Sequence, residues 1–148
     1  MPLTFQWVRP KPHAEHPQTM GQHLRKRRLQ AGLTQKDVAE QIGANHFTYL
    51  LWEGDRTNPG VRFYPAIFAF LGYDPFPPPT TVPESILSQR RRLGLSLRAA
   101  AGLIGVDEGT LTRWERGEGS PEQVQTTVQR FLELRVTDAR TIIHGDRV

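Results

Sequence analysis

The chain contains two copies of one sequence pattern. When Gly32 is aligned with Gly94, the two segments run without a gap as far as Pro59 and Pro121. Eight of the 22 positions from Gly32 to Glu53 are identical at a constant offset of 62 residues, which is too many for chance similarity between amphipathic helices. The chain is therefore expected to fold as a tandem repeat of one small unit.

Each copy carries the start and stop signals of a small helical bundle. A Thr-x-x-Gln or Thr-x-x-Glu capping box begins a first helix, and a glycine ends it. A Thr or Ser then caps a second helix, a glycine makes the next turn, and an Asn or Asp caps a third helix. These positions are Thr19, Gln22, Gly32, Thr34, Gly43 and Asn45 in the first copy, and Thr81, Glu84, Gly94, Ser96, Gly105 and Asp107 in the second.

A fourth helix follows in each copy, and its apolar side chains are expected to close a small core. These side chains are Phe63, Ile67, Phe70 and Leu71 in the first copy, and Val124, Val128, Phe131 and Leu132 in the second. The sequence therefore predicts an all-α fold made of two small helical bundles.

A proline-rich stretch separates the two copies. Five of the ten residues from Asp74 to Pro83 are proline, which favours extended polyproline II backbone over helix. The stretch is interpreted as a stiff linker between the domains. The predicted organisation is a Pro-rich N-terminal arm at 1–18, a first domain at 19–73, a linker at 74–82, a second domain at 83–135 and a C-terminal tail at 136–148.

Composition narrows the class of protein. The sequence has no Cys, which excludes disulfides, thiol catalysis and thiolate zinc sites, and its five His are scattered, so no metal or other cofactor is predicted. The longest apolar stretch, 66–71, is far shorter than the roughly 18 residues of a membrane helix, so no membrane contact and a soluble, cytoplasmic location are expected. The absence of a P-loop, a zinc motif or a Gly-rich dinucleotide turn disfavours an enzyme.

Two short helices joined through a glycine turn form a helix-turn-helix pattern, in which the second helix can enter the major groove of DNA. The segments LRKRRLQAGLTQKDVAEQIG…WEGDRTNP and LSQRRRLGLSLRAAAGLIGVDEGTLTRWERGEGSP resemble the lambda-repressor and Cro-like (XRE-type) DNA-binding family. The resemblance implies a sequence-specific transcriptional regulator, bacterial or from a mobile element, that binds double-stranded DNA and is nucleoid-associated when bound.

The resemblance also implies two structural ion pairs. In this family an Arg of the first helix pairs with the Glu that ends the recognition helix, and Arg28 with Glu53, and Arg90 with Glu115, stand at those places. A partly buried pair of this kind would lock the first helix to the third. A structural role is therefore favoured over catalysis or ligand binding.

Base reading is expected from side chains in the first turn of each third helix and one turn later, because those project into the groove. The candidate base contacts are His46, Phe47 and Leu51 in the first unit, and Glu108, Gly109, Thr110 and Arg113 in the second. Arg113 suits guanine, and Glu108 suits the amino group of cytosine. The candidate phosphate contacts are Gln35, at the family's Gln position, Arg56, Ser96, Arg98 and Arg116.

The third helix of the first unit leaves two interpretations open. Phe47 and Leu51 can contact only a thymine methyl group or another apolar surface, and Leu50 stands beside them. An apolar face of this kind also suits a homodimer or a regulatory protein partner. The chain is thus predicted either to read adjacent DNA half-sites with both units, or to act as an interaction adaptor or anti-regulator with little DNA binding.

Overall fold

The computed structural model describes residues 16–138, and every regular element in this part of the chain is helical. The predicted all-α fold is confirmed. The predicted arm up to residue 15 and the tail from residue 139 lie outside the described residues. The helices are α1 Met20–Gln30, α2 Gln35–Ile42, α3 His46–Glu53, α4 Tyr64–Leu71, α5 Val82–Leu93, α6 Leu97–Ile104, α7 Glu108–Glu115 and α8 Pro121–Leu132, with a 3-10 turn at Val61–Phe63.

The second and third helices of each copy begin at the predicted caps. At the start of α2 the capping box is complete, because Thr34 Oγ1 accepts from the Asp37 N–H at 3.1 Å and Asp37 Oδ2 accepts from the Thr34 N–H at 3.0 Å. Each such bond satisfies an amide that has no partner inside the helix. The caps of α3, α6 and α7 are Asn45, Ser96 and Asp107, as predicted.

The capping boxes predicted for α1 and α5 form only in part. Thr19 Oγ1 accepts from the Gln22 N–H at 3.1 Å, but Gln22 Oε1 accepts from the N–H of Gln18, one residue before the cap, at 2.7 Å. The Gln22 side chain therefore satisfies the amide before the cap and not that of Thr19. The same shift occurs at α5 with Thr81, Glu84 and Thr80.

Helix α1 of the first unit approaches the end of α3 closely. Helix α3 contacts both α1 and α2. Gly21 of α1 lies so near the end of α3 that an added Cβ would fall inside contact distance of the Trp52 carbonyl oxygen and 2.6 Å from Asp55 Oδ1. Asp55 itself takes a left-handed backbone with φ 57°, which Asp tolerates better than most residues. The second position of α1 therefore requires a residue without a side chain.

The compact units divide at a different point from the predicted domains. The sequence repeat places the boundary in the segment 74–82, whereas the packing of the folded chain divides it between Asn58 and Pro59. The segment from Pro59 through α4 belongs to the first copy by sequence but to the compact unit that begins at Pro59 by packing. Both α4 and the 3-10 turn before it contact α5.

A cluster of three aromatic rings and one Arg, here called the Phe76 cluster, explains this difference. Tyr64 and Phe68 of α4 stack with centroids 5.6 Å apart, and the Phe76 ring meets them edge-on at 5.5 and 6.3 Å. The Arg91 guanidinium of α5 lies 3.7 Å from the centroid of Phe76. Each such contact contributes about 0.5–1.5 kcal/mol. Phe76, within the proline-rich segment, thus packs onto two helices, whereas the prolines at 77–79 are exposed.

The core of the second unit lies between α5, α6, α7 and α8. The fourth helix predicted for each copy contributes buried side chains. These are Ile67 and Leu71 on α4, and Val124, Val128 and Phe131 on α8. The buried cluster of the second unit consists of Ile86, Leu93, Leu95, Ala100, Ala101, Leu111, Val124, Val128 and Phe131. Because Leu111 of α7 belongs to this cluster, the core holds that helix in place.

A buried amide ties α5 to the end of α8. Gln89 is only 6 % exposed, and its Nε2 donates to the carbonyl oxygens of Phe131 at 3.0 Å and Leu134 at 2.8 Å. Arg92 donates to Gln89 Oε1 at 3.0 Å and to the same Leu134 oxygen at 2.7 Å. The Phe131 carbonyl also accepts from the Leu134 N–H at 3.3 Å, so Gln89 adds a second bond there and joins α5 to the end of α8.

Candidate nucleic-acid interface

Helix α7 presents most of its predicted base-contacting positions to solvent. The chain leaves α6 at Gly105, whose φ of +92° lies in the left-handed region that favours glycine, and α7 then starts after the Asp107 cap. Glu108, Gly109 and Arg113 are exposed, whereas Thr110 is half-buried. The turn between the helices therefore leaves two charged side chains on the outer surface of α7.

Thr110 takes part in a polar chain along this helix. Asp107 Oδ1 accepts from the Thr110 N–H at 2.9 Å, and its Oδ2 accepts from the Thr110 hydroxyl at 2.7 Å. The Thr110 oxygen in turn accepts from Arg113 Nη2 at 3.4 Å. The hydrogen bonds from Thr110, first from its hydroxyl and then from its backbone, lower the pKa of the Asp107 carboxyl, and the charge of Arg113 adds to this effect. The sequence did not predict this polar chain, although its spacing of three residues was visible.

The corresponding face of α3 has a different character. Phe47 is 67 % exposed and His46 is exposed, but Leu50 and Leu51 are half-buried. At the offset of 62 residues, Phe47 corresponds to Gly109 and Leu51 to Arg113. The apolar surface expected on α3 is therefore concentrated on one ring, and α3 lacks the charged side chain that its counterpart carries at the second reading position.

The predicted phosphate contacts lie at helix ends. Ser96 caps α6, its Oγ accepting from the Ala99 N–H at 3.1 Å, and Arg98 follows exposed in the first turn of that helix. Arg116 is exposed at the other end of the motif, where α7 stops. In the first unit Gln35 is half-buried at the start of α2, and Arg56 is exposed after α3.

The ion pair predicted for the first unit is present. Arg28 donates from Nε to Glu53 Oε2 at 2.8 Å and from Nη2 to Oε1 at 2.9 Å, and its Nη1 donates to the Leu33 carbonyl at 3.2 Å. Their side chains are only 12 % and 3 % exposed. Burial lowers the pKa of Arg28, but the bonds and charge of Glu53 outweigh it and raise that pKa overall. This two-pronged bond joins α1 to α3.

The second unit repeats the pair with a slightly looser geometry. Arg90 donates to the two oxygens of Glu115 at 2.8 and 3.3 Å, and its Nη1 donates to the Leu95 carbonyl at 3.2 Å. The Glu115 side chain is 14 % exposed, so water reaches this carboxylate more than that of Glu53. In both units the pair ties the candidate reading helix to the helix behind it.

Tyr49 adds a buried hydroxyl beside the first pair. Its side chain is fully buried, and among the described residues its phenol oxygen has no hydrogen-bond partner. Burial raises the pKa of the phenol, the Glu53 carboxylate raises it further, and Arg28 opposes the rise. The second unit has Leu111 at the equivalent position, so the hydroxyl is not required by the fold. Tyr49 precedes Glu53 by four residues, and this helical spacing could have predicted that the phenol lies near the carboxylate.

Replacing Tyr49 with Phe should raise the free energy of unfolding by about 1 kcal/mol, because the substitution removes a buried donor without leaving a cavity. Thermal denaturation followed by circular dichroism measures the change. A loss of about 1 kcal/mol instead would show that the hydroxyl bonds to the Arg28–Glu53 pair in solution.

Comparison with known proteins matches one segment of the chain to a family model. A helix-turn-helix family model matches residues 86–123, about a quarter of the chain, from within α5 to the start of α8. No curated protein and no solved structure matches the chain. Within residues 16–138 no group of three or more His, Asp or Glu could hold a metal ion, and no helix is both long and apolar enough to cross a membrane. The resemblance drawn from the sequence is thus confirmed for one segment: residues 86–123 form a helix-turn-helix of the kind found in DNA-binding transcription regulators.

Proposed function

We propose that this chain is a sequence-specific DNA-binding transcription regulator whose two repeat units, 19–73 and 83–135, read adjacent half-sites. The observation that carries the proposal is the exposed, charged face of α7 within the segment that matches a helix-turn-helix family. The proposed role needs no catalytic group and no cofactor.

The second unit is proposed as the main reader of sequence. The planar guanidinium of Arg113 can bond a guanine at O6 and N7, and Glu108 can accept from a cytosine amino group. Ser96, Arg98 and Arg116 flank these side chains in the chain and are proposed to contact phosphates, which fix the position of a helix on the duplex without reading bases. Gly109 adds no side chain and leaves room for the duplex near α7.

The first unit is proposed to contribute apolar reading. His46 and the exposed Phe47 ring stand in the first turn of α3, where Phe47 can contact a thymine methyl group. Leu51 is half-buried and offers a smaller apolar contact. Gln35 and Arg56 are proposed as its phosphate contacts.

Replacing Arg113 with Ala should weaken binding to DNA fragments selected by the wild-type chain from a random library. A two-pronged contact to guanine is worth about 1–3 kcal/mol of discrimination, or roughly 5- to 150-fold in affinity. The preference at one base pair should disappear. Fluorescence anisotropy with the selected duplex measures both quantities.

Arg130 provides the matched control, since it is an exposed Arg on α8, outside the matched segment. Arg130→Ala should keep the base preference of the wild type. If Arg113→Ala also keeps it, α7 does not read bases through this side chain, and the proposal in this form is wrong.

A second candidate function is favoured by the 67 % exposure of Phe47. In this alternative the chain is an adaptor or anti-regulator, and Phe47, Leu50 and Leu51 dock a regulatory protein or a second copy of the chain. Measuring both duplex binding and self-association of the chain at two salt concentrations separates the candidates. Binding through phosphates weakens steeply as salt rises, whereas an apolar protein contact responds little.

A further inference from the structure

The direction of the hydrogen bonds in the chain from Asp107 to Arg113 determines what Thr110 can do. A hydroxyl has one hydrogen to donate, and the Asp107 carboxylate can only accept. The short bond of 2.7 Å between these two groups therefore uses the hydroxyl hydrogen of Thr110. What Thr110 presents to Arg113 is a lone pair, and the hydroxyl has no hydrogen left to donate to a base or a phosphate.

The contact also restricts Arg113. One N–H of Nη2 points to the Thr110 oxygen, and the carboxylate of Asp107 lies behind that oxygen. A guanidinium has five N–H donors in a rigid plane, so four remain for a ligand. Because the Thr110 contact already holds one edge of this plane, Arg113 has less conformational freedom to lose when it binds a ligand.

The first unit lacks this arrangement, although Thr48 stands at the equivalent position. There the cap Asn45 accepts from the N–H of Phe47 at 2.8 Å. Leu51 replaces the Arg, so the first unit has no guanidinium to hold. The polar chain therefore accompanies the presence of Arg113 and is not a general feature of the cap.

We infer that Asp107 and Thr110 position the Arg113 guanidinium for two-pronged recognition of a guanine, and that Thr110 acts through Arg113 rather than on a base. The inference rests on the proposed function, because it concerns the same reading helix. It makes Thr110 a positioning residue that determines specificity, and it replaces the base contact expected for Thr110 from the sequence.

The test compares the full chain with Thr110→Val, which keeps the shape of the side chain but removes the hydroxyl. The first probe is the duplex selected by the wild-type chain. The second probe is the same duplex with 7-deazaguanine, which lacks N7, at the position whose preference Arg113→Ala removes. We expect the wild-type chain to bind the second duplex about tenfold more weakly. For Thr110→Val this ratio should fall to about threefold, because the substitution weakens binding to the unmodified duplex and leaves binding to the 7-deazaguanine duplex unchanged.

Two variants exclude a merely structural effect. Thr110→Ser retains the hydroxyl and should restore the tenfold ratio. Thr112→Val removes the hydroxyl that donates to the Glu108 carbonyl at 2.8 Å in the same helix, away from the Thr110–Arg113 contact, and should also keep the tenfold ratio.

The outcomes separate the inference from the proposed function. If Arg113→Ala keeps every base preference of the wild type, so that no such position exists, the proposed function in this form is wrong. If Arg113→Ala loses the preference while Thr110→Val keeps it, the positioning role is overturned and the proposed function stands. Equal losses in Thr110→Val and Thr112→Val would also overturn the positioning role, because they would trace the effect to the helix as a whole.

Discussion

Replacing Arg28 with Met should lower the free energy of unfolding by about 3–5 kcal/mol, because it leaves the Glu53 carboxylate buried without its partner. That side chain is only 3 % exposed, and both of its oxygens bond to Arg28. Met retains most of the apolar stem of Arg, so the loss reports on the charge and its hydrogen bonds. Urea denaturation near neutral pH, followed by circular dichroism, measures it.

Two further variants test the reason given for this loss. Arg90→Met should cost less, because the Glu115 side chain is 14 % exposed and one of its bonds is 3.3 Å long. Combining Arg28→Met with Glu53→Met should recover most of the lost stability, since apolar pairs often replace buried ion pairs at little cost. If the double variant is as unstable as Arg28→Met alone, an unpaired charge is not the cause.

Replacing Gly21 with Ala should lower the free energy of unfolding by about 3 kcal/mol or more, although Ala is the better helix former by about 1 kcal/mol. The new methyl group would collide with the Trp52 carbonyl oxygen, which is backbone and cannot rotate away. Helix α1 would have to move off the end of α3, straining the Arg28–Glu53 pair that joins the same two helices. Thermal and urea denaturation measure the loss.

Gly102 supplies the matched control for this substitution. It lies exposed in α6, and nothing would lie within 4 Å of an added Cβ. Gly102→Ala should therefore raise stability by about 0.5–1 kcal/mol through helix propensity alone. Should Gly21→Ala stabilise the chain in the same way, the close approach of α1 to α3 does not exist in solution.

Much of the local structure was predictable because its signals lie close together in the sequence. The bonds at the Thr34, Ser96 and Asp107 caps each join residues three positions apart, so the residue types alone indicate them. The repeat added a second line of evidence, because a cap or a turn glycine in one copy recurs 62 residues later in the other. The Arg28–Glu53 and Arg90–Glu115 pairs came instead from the family resemblance, which gives the positions of residues far apart in sequence.

Contacts between distant residues were not predictable in this way. Gln89 bonds to carbonyls 42 and 45 residues away, and its counterpart in the first copy is Arg27, so the repeat gave no guidance. Phe76 lies in a segment whose prolines predicted an extended spacer, but the packing of its ring depends on α4 and α5 together. For the candidate site, helical register predicted which side of α7 is exposed. It did not show that the Asp107 cap uses the Thr110 hydroxyl.

The Phe76 cluster has a consequence for dividing or grafting this chain. A fragment ending at Tyr73 would carry the stacked rings of Tyr64 and Phe68 without Phe76 to cover them, and one starting at Thr81 would carry Arg91 without its ring. A junction between Asn58 and Pro59 keeps all four side chains in one piece. The first copy of the sequence pattern therefore ends about one helix later than the first compact unit. A module cut out at the boundary of the sequence pattern would expose an aromatic surface.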